Sequence, residues 1–248
     1  MSHLILDIGN TRTKVAVFAD GKMQTLTTCQ RIDRDEITTL CRQHGVTRAI
    51  ASVVGEAPDF EQLLPADVMS HFHRFSVHSR MPVSIDYDTP QTLGVDRLAA
   101  VVGAHTMAEG TPLLVIDAGT CITIDLLDDA NCYQGGAILP GLQMKYNALN
   151  HFTASLPLVE LAPDERNGHR TAPLTGKSTR ESILAGVGRA TVYEIQGFIE
   201  EYKKRYPDIK LFLTGGDADF FVNQLFFPTF AVPNLVLIGL DKLLELNT

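Results

Sequence analysis

The chain has 248 residues, of which 45% are hydrophobic and 20% are charged, and its formal net charge at pH 7 is −8. The apolar fraction excludes a wholly disordered chain, and the negative charge makes binding to nucleic acid electrostatically unfavourable. The four cysteines include no CxxC pair, so zinc and thioredoxin-type chemistry find no support. Without a cationic leader or a long apolar segment, the sequence predicts a cytoplasmic protein with no membrane or nucleic-acid contact.

An internal repeat predicts two similar halves. Residues 4–18 read LILDIGNTRTKVAVF, and residues 114–127 read LVIDAGTCITIDLL. The repeat aligns three pairs of residues: Asp7 with Asp117, Gly9 with Gly119 and Thr13 with Thr123. A unit of about 110 residues has the size of a domain. We therefore expect an α/β fold with one domain at residues 1–110, a second at 111–248 and a cleft between them.

Each half opens with a predicted meander of three strands, and the second turn of each meander falls at 19–22 or 128–131. In the first half, the pattern then predicts helix 34–44, strand 48–54, a helix around 59–64 and helix 95–109. In the second half, it predicts a long helix 179–206, strand 210–213 and helices 218–225 and 235–246. The polar segment 163–173, with a proline at each end, is expected to form a mobile loop.

The segment Asp7–Lys14 ends a strand and enters a tight turn. Its glycine lets backbone N–H groups approach an anion closely, its threonines add hydroxyl donors, and Lys14 adds a positive charge. Its aspartate would face a phosphate through a metal ion or water. A plain hairpin with Asn10 in the left-handed conformation is the alternative interpretation. The matching turn at Asp117–Thr120 favours phosphate binding, because two such turns can hold one phosphate chain from both sides.

Two further segments precede or begin helices and allow two interpretations each. Thr214-Gly215-Gly216 follows a strand, where its glycines let a base or ribose lie against the backbone near a helix N-terminus. An ordinary strand-to-helix turn is the alternative. Gly94-Val95-Asp96-Arg97 begins a helix, and Asp96 either complements the helix dipole or acts as a general base.

Other signals predict less. Gly176-Lys177-Ser178 lacks the first glycine of a P-loop and a preceding strand, and Gly186-Val187-Gly188 lies within a helical pattern, so neither predicts a nucleotide-binding loop. Gly135–Gly141 is interpreted equally as a bent strand end or as a place where a ligand approaches the backbone. His71, His73 and His78 are predicted to lie on a solvated strand edge. A metal cluster is the alternative interpretation of these three histidines.

The motifs become specific when they are taken together and in order. They are DIGNTRTK at 7–14, GVDR at 94–97, DAGTCITID at 117–125, GGAILPG at 135–141, GKST at 176–179 and TGG at 214–216. This set resembles the type III pantothenate kinases, a family of the acetate and sugar kinase, Hsp70 and actin superfamily. The resemblance spans most of the chain. It implies two ribonuclease-H-like (actin-like ATPase) domains, a homodimer, and ATP-dependent phosphorylation of pantothenate in the first step of coenzyme A biosynthesis.

The resemblance also implies a role for each motif. The ATP phosphates would contact Asp7, Ile8, Gly9, Asn10, Thr11, Arg12, Thr13 and Lys14. Further ATP contacts would come from Thr120 in the second turn and from the adenosine-side residues Thr214, Gly215 and Gly216. Asp117 resembles the ligand of a monovalent cation, K⁺ or NH₄⁺. The family usually has Thr-Ala where this chain has Thr120-Cys121, a small change that keeps the turn plausible.

On the acceptor side, Asp96 resembles the catalytic base. The positions that match pantothenate contacts are Tyr87, Gly94, Val95, Asp96, Arg97 and Thr179. An unperturbed aspartic acid, with a pKa of about 3.9, cannot deprotonate a primary alcohol in advance. In a loose phosphoryl-transfer transition state, Asp96 instead orients the hydroxyl and accepts its proton late. Mg²⁺, the monovalent cation, Lys14 and turn N–H groups would compensate the charge. Arg97 would hold either the pantothenate carboxylate or the phosphoryl group.

Two other functions remain open from the sequence. One is a different small-molecule kinase or a phosphatase of the same superfamily, and the other is a non-catalytic ATP-binding regulator. The GVDR and GKST segments lie outside the shared ATP framework and argue against the first. Such a regulator can lose the base, whereas this chain keeps Asp96.

Overall fold

The computed structural model describes residues 1–247 and shows a mixed α/β chain. In chain order, its strands are β1 (Ser2–Ile8), β2 (Thr13–Ala19), β3 (Lys22–Cys29), β4 (Val46–Val53), β5 (Phe72–Arg74), β6 (Ser84–Ile85), β7 (Leu113–Ala118), β8 (Cys121–Leu127), β9 (Cys132–Pro140), β10 (Lys210–Thr214) and β11 (Thr229–Ala231). Its helices are α1 (Arg34–His44), α2 (Phe60–Leu63), α3 (Ala66–Met69), α4 (Val95–His105), α5 (Leu142–His151), α6 (Pro163–Arg166), α7 (Thr179–Leu184), α8 (Ala190–Arg205), α9 (Ala218–Val222) and α10 (Leu235–Leu246). A π-helical segment, Ala185–Arg189, joins α7 to α8.

The contacts divide the chain into two compact units. The first contains Met1–Glu109, Asn131–Tyr133 and the residues from Asn234 onward, and the second contains Gly110–Ala130 and Gln134–Pro233. The first boundary lies next to the predicted one at residue 110. The C-terminal helix differs from the predicted division, because α10 packs in the first unit, against α4, β1 and β4.

The first unit contains a sheet with the strand order β3-β2-β1-β4-β5. Its first three strands are antiparallel neighbours, and β4 and β5 extend the sheet in parallel with β1. Apolar residues on β1, β2 and β4 pack with α1 and α2 into one core. On α10, Asp241 Oδ1 lies 2.7 Å from Nδ1 of His3 in β1, and both side chains are buried.

The second unit repeats this arrangement, with neighbouring strands in the order β11-β10-β7-β8-β9. Strands β7 and β8 are antiparallel, and β10 and β11 extend the sheet in parallel with β7. The start of β9, Cys132–Tyr133, belongs to the first unit and pairs there with β6. Counted within each unit, the order of the five strands is therefore the same, as the repeat predicted and as two ribonuclease-H-like domains require.

The two copies of the repeat align directly along β1 and β7, but their following strands, β2 and β8, are shifted by one residue relative to each other. Asp7 lies opposite Lys14, whereas Asp117 lies opposite Thr123. The turn of the second unit is thus one residue shorter, and the predicted equivalence of Thr13 with Thr123 is wrong by one position. The place that Lys14 occupies in the first unit is taken by Thr123 in the second.

The structure differs from the predicted elements in several places: α5 and β11 were not predicted, and α9 ends at Val222 instead of residue 225. Helix α4 was predicted to end at residue 109, but it ends at His105. The next residue, Thr106, donates a hydrogen bond from its Oγ1 to the Gly103 carbonyl (2.7 Å). The predicted helix 179–206 is interrupted by its π-helical segment. The predicted mobile loop at 163–173 begins with helix α6, in which the buried Glu165 forms an ion pair with Arg180 (2.6 Å). That contact joins residues distant in sequence, so local composition did not reveal it.

Candidate active site

The first turn is a closed hairpin between β1 and β2. The Gly9 N–H donates to the Arg12 carbonyl (3.1 Å), which closes the turn between β1 and β2. A β-carbon on Gly9 would stand 3.1 Å from that same oxygen. Thr11 and Arg12 are exposed, whereas Thr13 is buried. The sequence also allowed a plain hairpin with Asn10 in the left-handed conformation. That conformation is wrong for Asn10, since the described non-glycine residues with positive φ are Asp20, Asn131 and Asn234.

Asp7 is a half-buried carboxylate beside this turn. It accepts a hydrogen bond from Ser52 Oγ of β4 (2.7 Å) and lies opposite Lys14 in the β1–β2 ladder. Burial raises the pKa of Asp7 above its ordinary value, while the Ser52 hydrogen bond and the Lys14 charge act in the opposite direction. Lys14 Nζ also donates to Asn234 Oδ1 (3.2 Å) at the start of α10.

The predicted base lies in the same unit, in the first turn of α4. Gly94 and Val95 are half-buried beside it, and the Arg97 N–H donates to Asp96 Oδ1 (2.9 Å). The Asp96 carboxylate is half-buried, and the Arg97 side chain is buried, with 7% of its surface exposed. A β-carbon on Gly94 would stand 2.6 Å from Asp96 Oδ1, so a glycine at this position leaves room for the carboxylate.

Tyr87 follows β6 and is half-buried. Its ring centroid lies 6.2 Å from that of the fully buried Tyr133, and the Asp86 N–H donates to the Tyr133 carbonyl (2.9 Å). The β6–β9 pairing therefore fixes the backbone that carries Tyr87.

The second turn, in the other unit, is tied to the start of α5. Gly119 N–H donates to the Cys121 carbonyl (2.9 Å), and Gly141 N–H donates to the Thr120 carbonyl (3.1 Å). A β-carbon on Gly141 would stand 2.3 Å from the Gly119 carbonyl oxygen. Contact with the turn therefore requires a glycine at position 141. This explanation differs from the two that the sequence suggested for the run 135–141, a bent strand end and a ligand close to the backbone. The Thr120 side chain is exposed.

The predicted adenosine segment lies on the neighbouring strand of the same unit. Thr214 pairs with Asp117 across β10 and β7, and the Asp217 N–H donates to the Ala118 carbonyl (2.8 Å). Gly215 has φ +97°, and a β-carbon on it would stand 2.5 Å from Asp117 Oδ1. The structure therefore brings together the second turn and residues 214–217. Burial raises the pKa of Asp217, and the charge of Arg166 partly opposes that shift.

Thr179 is exposed at the first position of α7, in the second unit. Its neighbours form a helix cap: Ser178 Oγ accepts from the Glu181 N–H (3.2 Å), and the Lys177 N–H donates to Glu181 Oε2 (2.8 Å). The GKST segment thus caps and starts a helix at Thr179, where the predicted helix 179–206 begins.

Within residues 1–247, no group of three or more His, Cys, Asp and Glu side chains is arranged to hold a metal ion. His73 Nε2 lies 2.7 Å from Ser79 Oγ, and His71 Nδ1 lies 2.9 Å from Ser70 Oγ, so two of the three clustered histidines have hydroxyl partners. The same described residues include no helix long and apolar enough to cross a membrane.

Sequence reasoning missed two residues that contact the first turn's charged groups. Ser52 and Asn234 lie 45 and 220 residues from their partners Asp7 and Lys14. Neither stands in a motif, and only the folded sheet and the packing of α10 bring them there.

Comparison with solved structures defines the class of protein. The chain is similar to a conserved putative Baf family transcriptional activator from Campylobacter jejuni (TM-score 0.61, 21% identity, 98% of this chain and 97% of that one). It is also similar to the glucokinase from Balamuthia mandrillaris in complex with glucose (TM-score 0.57, 11% identity, 98% and 93%). With the repeated strand order, these likenesses place the chain in the actin-like ATPase and sugar kinase fold.

Sequence comparison then gives the family. The profile of the type III pantothenate kinases matches residues 3–201. The type III pantothenate kinase of Cytophaga hutchinsonii is 39% identical to this chain, over 99% of both chains. That of Bacteroides fragilis strain YCH46 is 41% identical, over 99% of this chain and 98% of its own length. The chain belongs to the type III pantothenate kinase family.

Proposed function

We propose that this chain transfers the γ-phosphoryl group of ATP to the primary hydroxyl of pantothenate, which gives 4′-phosphopantothenate and ADP in the first step of coenzyme A biosynthesis. The observation that carries the proposal is membership of the family over the full chain, with a half-buried carboxylate, Asp96, in the first turn of α4.

The ATP phosphates are proposed to bind the segment from Asp7 and Ile8 through Gly9 to Thr13, with Lys14 as the cation. Arg12, Thr11 and Asn10 belong to the turn itself, and the exposed Arg12 adds a second positive charge. The closed Gly9–Arg12 turn supports this assignment, because it holds the exposed Thr11 and Arg12 in a short, hydrogen-bonded hairpin.

Thr120 and the segment Thr214–Gly216 are proposed to contact the rest of ATP. Among the described atoms, a β-carbon on Gly216 would meet nothing within 4 Å, and one on Gly119 nothing closer than 3.9 Å. This open space beside two glycines fits a nucleotide that lies against the backbone.

Asp96 is proposed to orient the pantothenate hydroxyl and to accept its proton as the O–P bond forms. A carboxylate is too weak a base to remove that proton first, so transfer late in a loose transition state is required. The backbone N–H of Arg97, which donates to Asp96 Oδ1, fixes one carboxylate oxygen at the start of α4. Other proposed pantothenate contacts are Tyr87, Gly94, Val95, Arg97 and Thr179.

Two cations are proposed to accompany ATP. Mg²⁺ is usually held by one or two carboxylates together with substrate phosphates, and Asp7 is a single half-buried carboxylate of this kind. When bound, Mg²⁺ neutralises charge on the phosphates. Asp117 is proposed to hold a monovalent cation, K⁺ or NH₄⁺. Its position at the end of β7, beside Gly215, supports a site made from one carboxylate and nearby backbone carbonyls.

We also propose that the protein is a homodimer in the cytoplasm and that it acts without nucleic acid. In the second unit, exposed apolar side chains support an interface: Ile138, Met144 and Phe152. The described cysteines are all free thiols, which suits a reducing compartment, and the net charge of −8 disfavours nucleic acid.

The proposal is tested by ADP release in the presence of pantothenate and a panel of other primary alcohols, with and without potassium. We expect release that depends on pantothenate and rises with potassium. Equal release with unrelated alcohols, or none with pantothenate, would reject the assigned substrate.

A further inference from the structure

Asn234 has an unusual conformation for the residue at the start of a helix. Its φ and ψ are 59° and 34°, in the left-handed region, although it precedes the first turn of α10 and its carbonyl accepts from the Ile238 N–H (3.2 Å). Asparagine at this position normally caps the helix with its side-chain oxygen. Within residues 1–247, the Asn234 side chain makes no such capping bond.

The side-chain oxygen is used elsewhere. Asn234 Oδ1 accepts a hydrogen bond from Lys14 Nζ (3.2 Å), and both side chains are half-buried. The left-handed backbone conformation thus accompanies a contact with the one lysine of the phosphate-binding motif. Residues held in sparsely populated conformations are concentrated at functional sites, which makes this contact a candidate for a role in the reaction.

The acceptor is mounted on a rigid element. Leu235, Leu237 and Gly239 of α10 are buried, and the helix packs directly on α4 in the same unit. Asn234 is therefore a fixed point, whereas a lysine side chain has four rotatable bonds and loses rotamer freedom when it is held in one position.

We infer that Asn234 is a positioning residue for Lys14, which it holds ready to contact the phosphates of ATP. The inference rests on the proposed function of the first turn and deepens it. An ammonium group has three donors, so one bond to Asn234 leaves two for phosphate oxygens. The acceptor is a neutral amide, and it orients the lysine without neutralising the charge that an anion needs. A carboxylate in its place would bind the lysine more strongly and repel the phosphates.

Asn234→Gly separates this role from a structural one. Glycine adopts the left-handed conformation without penalty, so the backbone is kept and only the amide is removed. We expect an unchanged melting temperature and an ATP Kd and KM raised about three- to tenfold, the usual range for losing the net contribution of one ordinary hydrogen bond. Asn234→Asp, which keeps an acceptor but adds a charge, is also expected to raise the ATP Kd. The matched control is Asp20→Gly, which replaces another left-handed residue and should leave the ATP Kd unchanged.

The coupling to Lys14 is tested by repeating Asn234→Gly in a Lys14→Met background. We expect no further rise in the ATP Kd there, because the group that Asn234 positions is gone. A wild-type Kd and KM in Asn234→Gly, or the same rise in both backgrounds, would overturn the inference. Equilibrium ATP binding needs no acceptor, so it decides the role of Asn234 even if pantothenate proves not to be the substrate. A wild-type chain that does not bind ATP would overturn both the inference and the proposed function.

Discussion

Gly239 of α10 lies directly against Ala99 of α4. A β-carbon on Gly239 would stand 1.8 Å from the Ala99 carbonyl oxygen, and one on Gly103 would stand 2.4 Å from the Leu235 carbonyl oxygen. The two helix backbones therefore touch, as small residues allow. Through this contact, the C-terminal helix supports the helix that carries Asp96 and presents Asn234 to Lys14.

Gly239→Ala is expected to force these helices apart. The added carbon has only backbone to displace, and overpacking of this kind typically costs about 1–3 kcal/mol of unfolding free energy. Urea denaturation measures the loss, and turnover should fall as well because α4 moves. The control is Gly197→Ala in α8, where the described atoms leave the β-carbon free and alanine should stabilise the helix by up to about 1 kcal/mol. Equal stability of the two variants would contradict the account of the contact.

Gly216→Ala tests whether ATP lies against the segment after β10. The described structure leaves space for the methyl group, so we expect the melting temperature to remain within about 1 °C of wild type while the ATP KM rises. Gly215→Ala should instead destabilise the fold, since φ is +97° and the β-carbon would stand 2.3 Å from the Ala118 carbonyl oxygen. A wild-type ATP KM in Gly216→Ala would remove this segment from the nucleotide site.

The Glu165–Arg180 pair predicts a pH dependence of stability. The hydrogen bond from Arg180 holds the pKa of Glu165 at about 2, below its ordinary value of 4.5. Because the folded pKa is the lower one, the stabilisation is complete above pH 4.5 and is lost as the pH falls towards 2. Glu165→Gln should therefore cost about 1–2 kcal/mol at pH 7 and flatten the loss of stability in that acid range. Arg180 is partly exposed, which limits the effect.

Urea denaturation at several pH values checks this prediction. The control is Glu201→Gln, which removes an exposed ion pair with Lys204 and should leave the stability nearly unchanged at any pH. Parallel pH profiles of wild type and Glu165→Gln would show that the pair does not act as described.

The sequence allowed most of the fold to be predicted because its signals are local. The alternating strands, the turn at Asp20 and Gly21 and the capped helix α1 follow from short-range patterns, and the repeat revealed the two-unit arrangement. The placement of α10 in the first unit was not predictable, since it depends on glycines that meet α4 across the fold. The one-residue shift between Lys14 and Thr123 was also hidden, because two threonines aligned by chance.

The motifs of the candidate site can be read from the sequence, whereas the residues that contact their side chains cannot. Asp7, Asp96, Asp117 and Gly215 stand in recognisable segments, and their assigned roles remain proposals. Ser52 and Asn234 contact Asp7 and Lys14 of the first motif only through tertiary packing, so no local pattern marks them. A hydrogen bond between residues far apart in the chain depends on strand register and helix packing.

The most direct test of the central claim is phosphoryl transfer to pantothenate by wild type and by Asp96→Asn. Phosphorus NMR identifies a phosphate ester on the pantothenate hydroxyl, and rapid quench gives the rate. We expect wild type to form the phosphate ester. We expect Asp96→Asn to transfer the phosphoryl group at least about a hundredfold more slowly, with its affinity for ATP nearly intact. The matched control is Asp35→Asn, since Asp35 also stands at the second position of its helix, α1, and loses the same dipole interaction. Asp35→Asn should keep the wild-type rate, whereas transfer by Asp96→Asn at the wild-type rate would contradict the account.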